Sequence, residues 1–228
     1  MAFYFLIAAV WFSSGSCTMK DKQPLVKATQ SYDDMILKAV KNNDIITTRE
    51  LIKQGANVET RDTEGKTLLL IATHHNHIEI AEILVAAGAN VNAQDAIKDS
   101  PFLYAGATGK ITLVRLYLDH GADFTVFNRY GGTALIPAAE RGHTDVVRLL
   151  SSTPGFPVNH INNLGWTALM EAVILGDGGK THTEIVQILI NSGADAGIPD
   201  SKGITALQHA QKRGYKEMVR LLEKTVKK

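Results

Sequence analysis

The chain has 228 residues and one cysteine, Cys17. No disulfide can close within it, and a zinc site built on cysteines is excluded. Neither sign of charge dominates: 24 Lys and Arg face 23 Asp and Glu, for a net charge of +1. That balance gives no strong field for a polyanion and no acidic tail. Aromatics make up only 7% of the residues and proline is scarce, at 6. Gly-x-Ser-x-Gly and His-Glu-x-x-His are both missing from the sequence, so it offers no motif for catalysis. No enzyme activity and no cofactor are expected. Apolar residues, at 45%, and 19 glycines are plentiful. A packed core crossed by many turns is therefore expected.

Long apolar runs are also lacking. The longest opens the sequence, Ala2 to Phe12, and eleven residues fall short of the roughly 20 that a bilayer span needs. Its length suits the hydrophobic part of an export signal, and Ser13-Ser14-Gly15-Ser16 supplies small residues before Cys17. Small residues before a lone cysteine resemble a bacterial lipoprotein signal, in which Cys17 would carry a lipid and become the mature N-terminus. Two features depart from that pattern: the start has no Lys or Arg, and Ser14 stands where Leu is usual. An apolar element packed on the domain is the alternative. Residues 1–17 are thus read as a leader and 18–30 as a polar linker. The expected location is outside the cytoplasm, periplasmic or membrane-anchored if the source is bacterial.

The rest of the chain repeats. Gly-Ala occurs at 55, 88, 121 and 193, with a related glycine at 155. The intervals are 33, 33, 34 and 38 residues. Thr or Ser at 67, 100, 133, 167 and 205 keeps the same uneven intervals. Two markers sharing one irregular spacing identify repeats of a single supersecondary unit. Overlaid, the units share an Asp/Asn-x-x-Gly-x-Thr opening, an Ala-x-x-x-Gly-His link and a Leu-Leu…Gly-Ala-x-Val-Asn close. This set resembles the ankyrin repeat family over about residues 31 to 226. The resemblance implies an all-α solenoid of helix-turn-helix units with short β-hairpin tips. We assign an N-terminal cap at 31–61 and repeats at 62–94, 95–127, 128–161, 162–199 and 200–228.

The residue chemistry agrees. Thr67, Thr133, Thr167 and Thr205 can cap helix N-termini with their hydroxyls. Gly109, Gly142 and Gly214 stand between helices, where a left-handed residue ends the first; Asn76 takes that place once. Ile78, Ile80, Ile83 and Leu84 fall on one helical stripe, as do Val146, Val147 and Leu150.

Several tempting signals have plainer readings. Gly179-Lys180-Thr181 resembles the end of a phosphate loop, but the glycine required five residues before Gly179 is Ile174. The overlay makes Asp177 to Thr181 a five-residue insertion, expected as an exposed loop. A single inserted residue near Ser151 to Gly155 is expected to remodel a helix end. His74 and His75 are expected to face outward at a helix end, with His77 bonded to neighbouring backbone and no metal bound. Glu79, Glu82, Glu171 and Glu184 are read as solvated helix surface. The basic C-terminal residues are interrupted by Glu217 and Glu223, so nucleic-acid binding is not expected.

In the family resembled, turn tips and first helices line a concave face that contacts protein partners. Most of the corresponding tips here are polar, but Ile97, Tyr130, Leu164 and Trp166 are not. With Arg129 and Arg141 beside them, and His74 and His75 at a helix end, they form the expected binding stripe. Trp, Tyr and Arg are frequent binding anchors. The expected function is non-catalytic binding of a protein partner on that face. An inhibitor or immunity-type protein blocking an enzyme or toxin would use the same face.

Overall fold

A computed structural model describes residues 25–226, with the side chains of 32–225. Cys17 and the leader lie outside the described residues. Among the described residues, twelve helices follow one another in pairs. The cap is α1 (Leu25–Lys41) and α2 (Ile45–Lys53). The repeats are α3 (Leu68–His75) with α4 (Ile78–Ala86), α5 (Pro101–Ala107) with α6 (Ile111–Asp119), and α7 (Leu135–Glu140) with α8 (Thr144–Ser152). Then come α9 (Ala168–Ile174) with α10 (Lys180–Asn191) and α11 (Ala206–Arg213) with α12 (Lys216–Val226). Helix α1 starts six residues before the expected cap boundary, inside the stretch read as linker. Neither Gly nor Pro interrupts 25–41, so nothing in the sequence stops the helix earlier.

First helices stack on first helices, α1 to α11, and second helices on second helices. One continuous apolar cluster runs through the stack from Ile36 to Leu222. Five alanines, Ala72, Ala105, Ala138, Ala172 and Ala210, are fully buried at equivalent places. Their small side chains let each first helix approach both neighbours closely. Four of the links keep one geometry. Asn76, Gly109, Gly142 and Gly214 have φ between 58° and 78°. The next residue then donates back to the alanine carbonyl, as His77 N–H does to Ala72 O at 2.9 Å and His143 N–H to Ala138 O at 2.9 Å.

The five tips are the same turn. An Asp or Asn (62, 95, 128, 162 and 200) accepts through Oδ1 from the backbone N–H two and four residues on. The expected β-hairpins shrink to two isolated antiparallel bridges, Arg61 with Thr67 and Pro199 with Thr205, among the described residues. The side chain thus holds the turn that a hairpin ladder would otherwise hold.

The insertion departs from expectation. Lys180 and Thr181 form the first turn of α10, which begins one turn earlier than its counterparts. Asp177 Oδ1 accepts from Gly179 N–H at 2.9 Å and from His182 Nδ1 at 2.9 Å. Tyr215 packs on Gly178 and donates its hydroxyl to Gly176 O at 3.1 Å. The inserted residues are a closed turn and a longer helix, not a free-standing loop.

The caps divide in an informative way. Thr67, Ser100, Thr167 and Thr205 accept from the N–H three residues on. Thr133 does not, and its buried Oγ1 has no partner. The reason lies four residues on. In those other units that residue donates its N–H to the cap carbonyl, as Glu171 does to Thr167 O at 2.9 Å. In this unit it is Pro137, which has no N–H. The first turn loosens and α7 begins only at Leu135. Thr167→Val should therefore cost about 1 kcal/mol. Thr133→Val should be neutral or stabilising by about 1 kcal/mol, because it removes an unsatisfied buried hydroxyl. Urea denaturation of both variants measures the difference.

Candidate functional site

The tips and first helices of repeats 2 to 4 line a cavity of about 600 Å³. Tyr104 and Ala107 come from α5, Ile136, Pro137 and Glu140 from α7, and Glu171 from α9. The tips add Asp99, Arg129, Tyr130, Leu164 and Trp166. The tips of repeats 3 and 4 are joined directly, since Asn163 N–H donates to Tyr130 O at 2.9 Å. His160 Nε2 reaches Gly131 O at 2.6 Å and its ring stacks on Phe127 at 4.3 Å. These bonds fix Tyr130 and Leu164 on one rim.

Tyr130 is 55% exposed and Leu164 49%, while Trp166 is partly buried. Trp166 forms a wall shared by this cavity and a second, of about 480 Å³, which Lys202, Lys212 and Arg213 border. Arg129 Nη1 lies 3.7 Å from Asp99 Oδ2, and its guanidinium sits 5.4 Å from the Tyr130 ring centre. Burial pushes the Asp99 carboxyl up and Arg129 opposes that shift. Arg141 Nη1 donates to Ala107 O at 2.8 Å. Both arginines already have partners.

Glu171 is the most deeply buried charged residue lining the cavity. It is only 5% exposed, and Asn162 Nδ2 donates to its Oε1 at 2.8 Å. Burial raises its carboxyl to about 7, Glu140 adds to the rise, and Asn162 and Arg141 oppose it. The solvated surface expected for Glu171 is thus wrong. It occupies the place, nine residues after the turn Asx, where the other units carry Ile71, Tyr104, Pro137 and His209. That place points inward beneath the tip. His209 shows the same geometry, with Nε2 2.9 Å from Asp200 Oδ2.

Models of ankyrin repeats match residues 10–95, 102–192 and 178–223. The chain belongs to the ankyrin repeat family. Among its relatives is the putative ankyrin repeat protein YahD of Escherichia coli K12, 36% identical over 82% of this chain and 92% of that one. Its fold matches the crystal structure of an ankyrin repeat domain from Acinetobacter baumannii with a TM-score of 0.81 and 50% identity, over 84% of this chain and 97% of that one. A second solved ankyrin repeat protein matches with a TM-score of 0.81 and 42% identity, over 83% of this chain and 96% of the other. Ankyrin repeats are protein–protein interaction modules, and the fold typically serves as a non-catalytic scaffold.

Of the residues expected to form the ankyrin binding stripe, Arg129, Tyr130, Arg141, Leu164 and Trp166 gather around the cavity. Ile97 is 52% exposed on the tip of repeat 2 but does not line it. The two histidines part company. His75 is exposed and stacks at 5.2 Å on His77, which holds Val40 O at 3.0 Å as expected. His74 does not face outward. Its ring stacks on Tyr104 at 3.7 Å, with Nε2 buried and without a partner, and burial lowers its pKa. It stands behind Tyr104, which lines the cavity. Among the described residues, no three His, Cys, Asp or Glu side chains could share a metal ion.

Sequence reasoning missed Tyr104, Asn162 and Glu171. A signal existed: Glu171 is the one carboxylate in a column of aliphatic, aromatic, proline and histidine residues. Its raised pKa also fixes a sign. The group favours the folded state below its ordinary value of 4.5, and that benefit is lost as pH rises through about 7. Glu171→Gln keeps an acceptor for Asn162 and cannot ionise. Denaturation midpoints at pH 5.5 and 8 should show the variant gaining on the wild type at the higher pH, on the order of 1 kcal/mol or more.

Proposed function

We propose that the chain is a non-catalytic scaffold that grips a protein partner in the concave groove of repeats 2 to 4. One observation carries this reading: Tyr130 and Leu164 stand half exposed around a cavity that Trp166 walls. Exposed apolar side chains gathered at a rim mark interaction sites. Side chains of this kind are frequent energetic anchors. The rim is held by tip-to-tip hydrogen bonds, so little ordering is needed on binding. Carboxylates within the groove, Asp99, Glu140 and Glu171, speak against a phosphate backbone as the occupant. A specific protein contact of this kind buries about 1,200–2,000 Å² in total.

The test is direct. A partner recovered by crosslinking in the native host should lose at least about tenfold in affinity on Trp166→Ala with Tyr130→Ala. Unchanged affinity in that double variant removes the groove reading.

We also propose that the scaffold works outside the cytoplasm, with Cys17 as a lipid anchor. The support is the apolar run from Ala2 to Phe12 and the small residues before Cys17. Among the described residues no helix is long and apolar enough to cross a membrane. Intact mass of the mature protein should show loss of residues 1–16 and the added mass of lipid on Cys17. A retained Met1 would sink both export and lipidation.

A further inference from the structure

We propose that the cavity between repeats 2 and 4 is a receptor for one basic side chain, Lys or Arg, of the protein partner, with Glu171 and Glu140 as its acceptors. This rests on the groove being the partner site, and it names what the partner must present there.

The hydrogen-bond inventory of the cavity carries the inference. Its two cations are engaged: Arg129 with Asp99, and Arg141 with the Ala107 carbonyl. An acidic side chain arriving here would have to displace one of these contacts. The free capacity is of the opposite kind. Asn162 donates to Oε1 of Glu171, and no hydrogen bond reaches Oε2 among the described residues. Glu140, on the last turn of α7, makes no ion pair among the described residues. Two carboxylates with spare lone pairs accept and never donate when ionised, so the complementary ligand is a multiple donor. Ammonium and guanidinium groups are the side chains that fit. The walls suit the rest of such a residue. Tyr104, Trp166 and Leu164 offer aromatic and aliphatic surface to a methylene stem, as long basic side chains require.

The scaffold explains why Glu171 can stand without a cation beside it. On the elements packed against α9, Glu140 at the end of α7 raises its pKa and Arg141, just after α7, lowers it; α10 carries Lys180, His182 and Glu184, and α11 His209, Lys212 and Arg213. Buried beside another carboxylate, Glu171 holds its proton near neutrality. A bound cation would draw that proton off. Affinity should then rise with pH as the acceptor becomes ionised in the free protein.

Panning the full chain against a displayed library of random dodecapeptides tests this. The expected winners share one Lys or Arg at a fixed place, bind the wild type, and lose at least tenfold on Trp166→Ala. Replacing that residue by norleucine, or Glu171 by Gln, should each cost about tenfold or more. For a histidine-free winner, affinity should rise about tenfold from pH 6 to pH 8, the change in ionised fraction of a group titrating near 7. Glu171→Gln, which keeps an acceptor for Asn162 but cannot ionise, should abolish that rise. Winners that need Trp166 but are acidic or uncharged, or that ignore Glu171→Gln, overturn the basic-residue assignment and leave the groove reading standing. Winners indifferent to Trp166, or no winners, remove the groove reading and this inference with it.

Discussion

Lateral contact between first helices is the constraint on which the molecule depends. In α3, six consecutive residues from Leu68 to Thr73 are buried. A helix buried on every side has no outside, so it can exist only between neighbours. In α3 those neighbours are α1, α5 and α4. The alanine column sets how closely they approach. A larger side chain at Ala105 or Ala138 would push apart the helices of adjoining units, and the tips above them would move too. The groove therefore inherits its shape from packing on the far side of its own floor.

That dependence also explains the ends. Helix α11 buries only Ala206 and Ala210, and its Gln208, Gln211, Lys212 and Arg213 are exposed. With one neighbour instead of two, it keeps a polar face. Its Thr205–Gln208 capping box supplies locally some of the stability that a second neighbour would supply in the middle of the stack.

Much of this was legible because spacing survives in sequence where contacts do not. The shared spacing of two markers pointed to the paired helices from α3 to α12 but not to the early start of α1, and the second helices showed their buried stripe as Val146, Val147 and Leu150 do. The inner first helices, α3, α5, α7 and α9, carry no such stripe, since burial on nearly all sides erases periodicity. Side-chain roles were therefore hardest to read there. His74 was expected in solvent, yet the next unit places Tyr104 against it. Glu171 was expected in solvent because a glutamate on a short helix usually is. Thr133 looked like its fellows, and only Pro137, four residues on, revealed that its cap could not form. In each case the deciding neighbour lay in another column of the repeat or in the adjoining unit.

The tip stripe was legible for a different reason. A tip residue has few neighbours, so its own chemistry dominates, and Tyr130 and Leu164 stand as exposed as their positions suggested. Beneath them, exposure no longer follows from residue type. Repeat 4 accepts a penalty there: it buries a carboxylate where repeat 2 has Tyr104 and repeat 5 a histidine paired with Asp200. If Glu171 served only to brace Asn162, a neutral Gln would do so without the cost of desolvating a charge. Its carboxylate forms no salt bridge among the described residues, and the residue lines a groove that Tyr104, Tyr130 and Trp166 line too. A cost that local structure does not require, located where the rim leaves room for another molecule, is the pattern expected of a residue kept for what it binds.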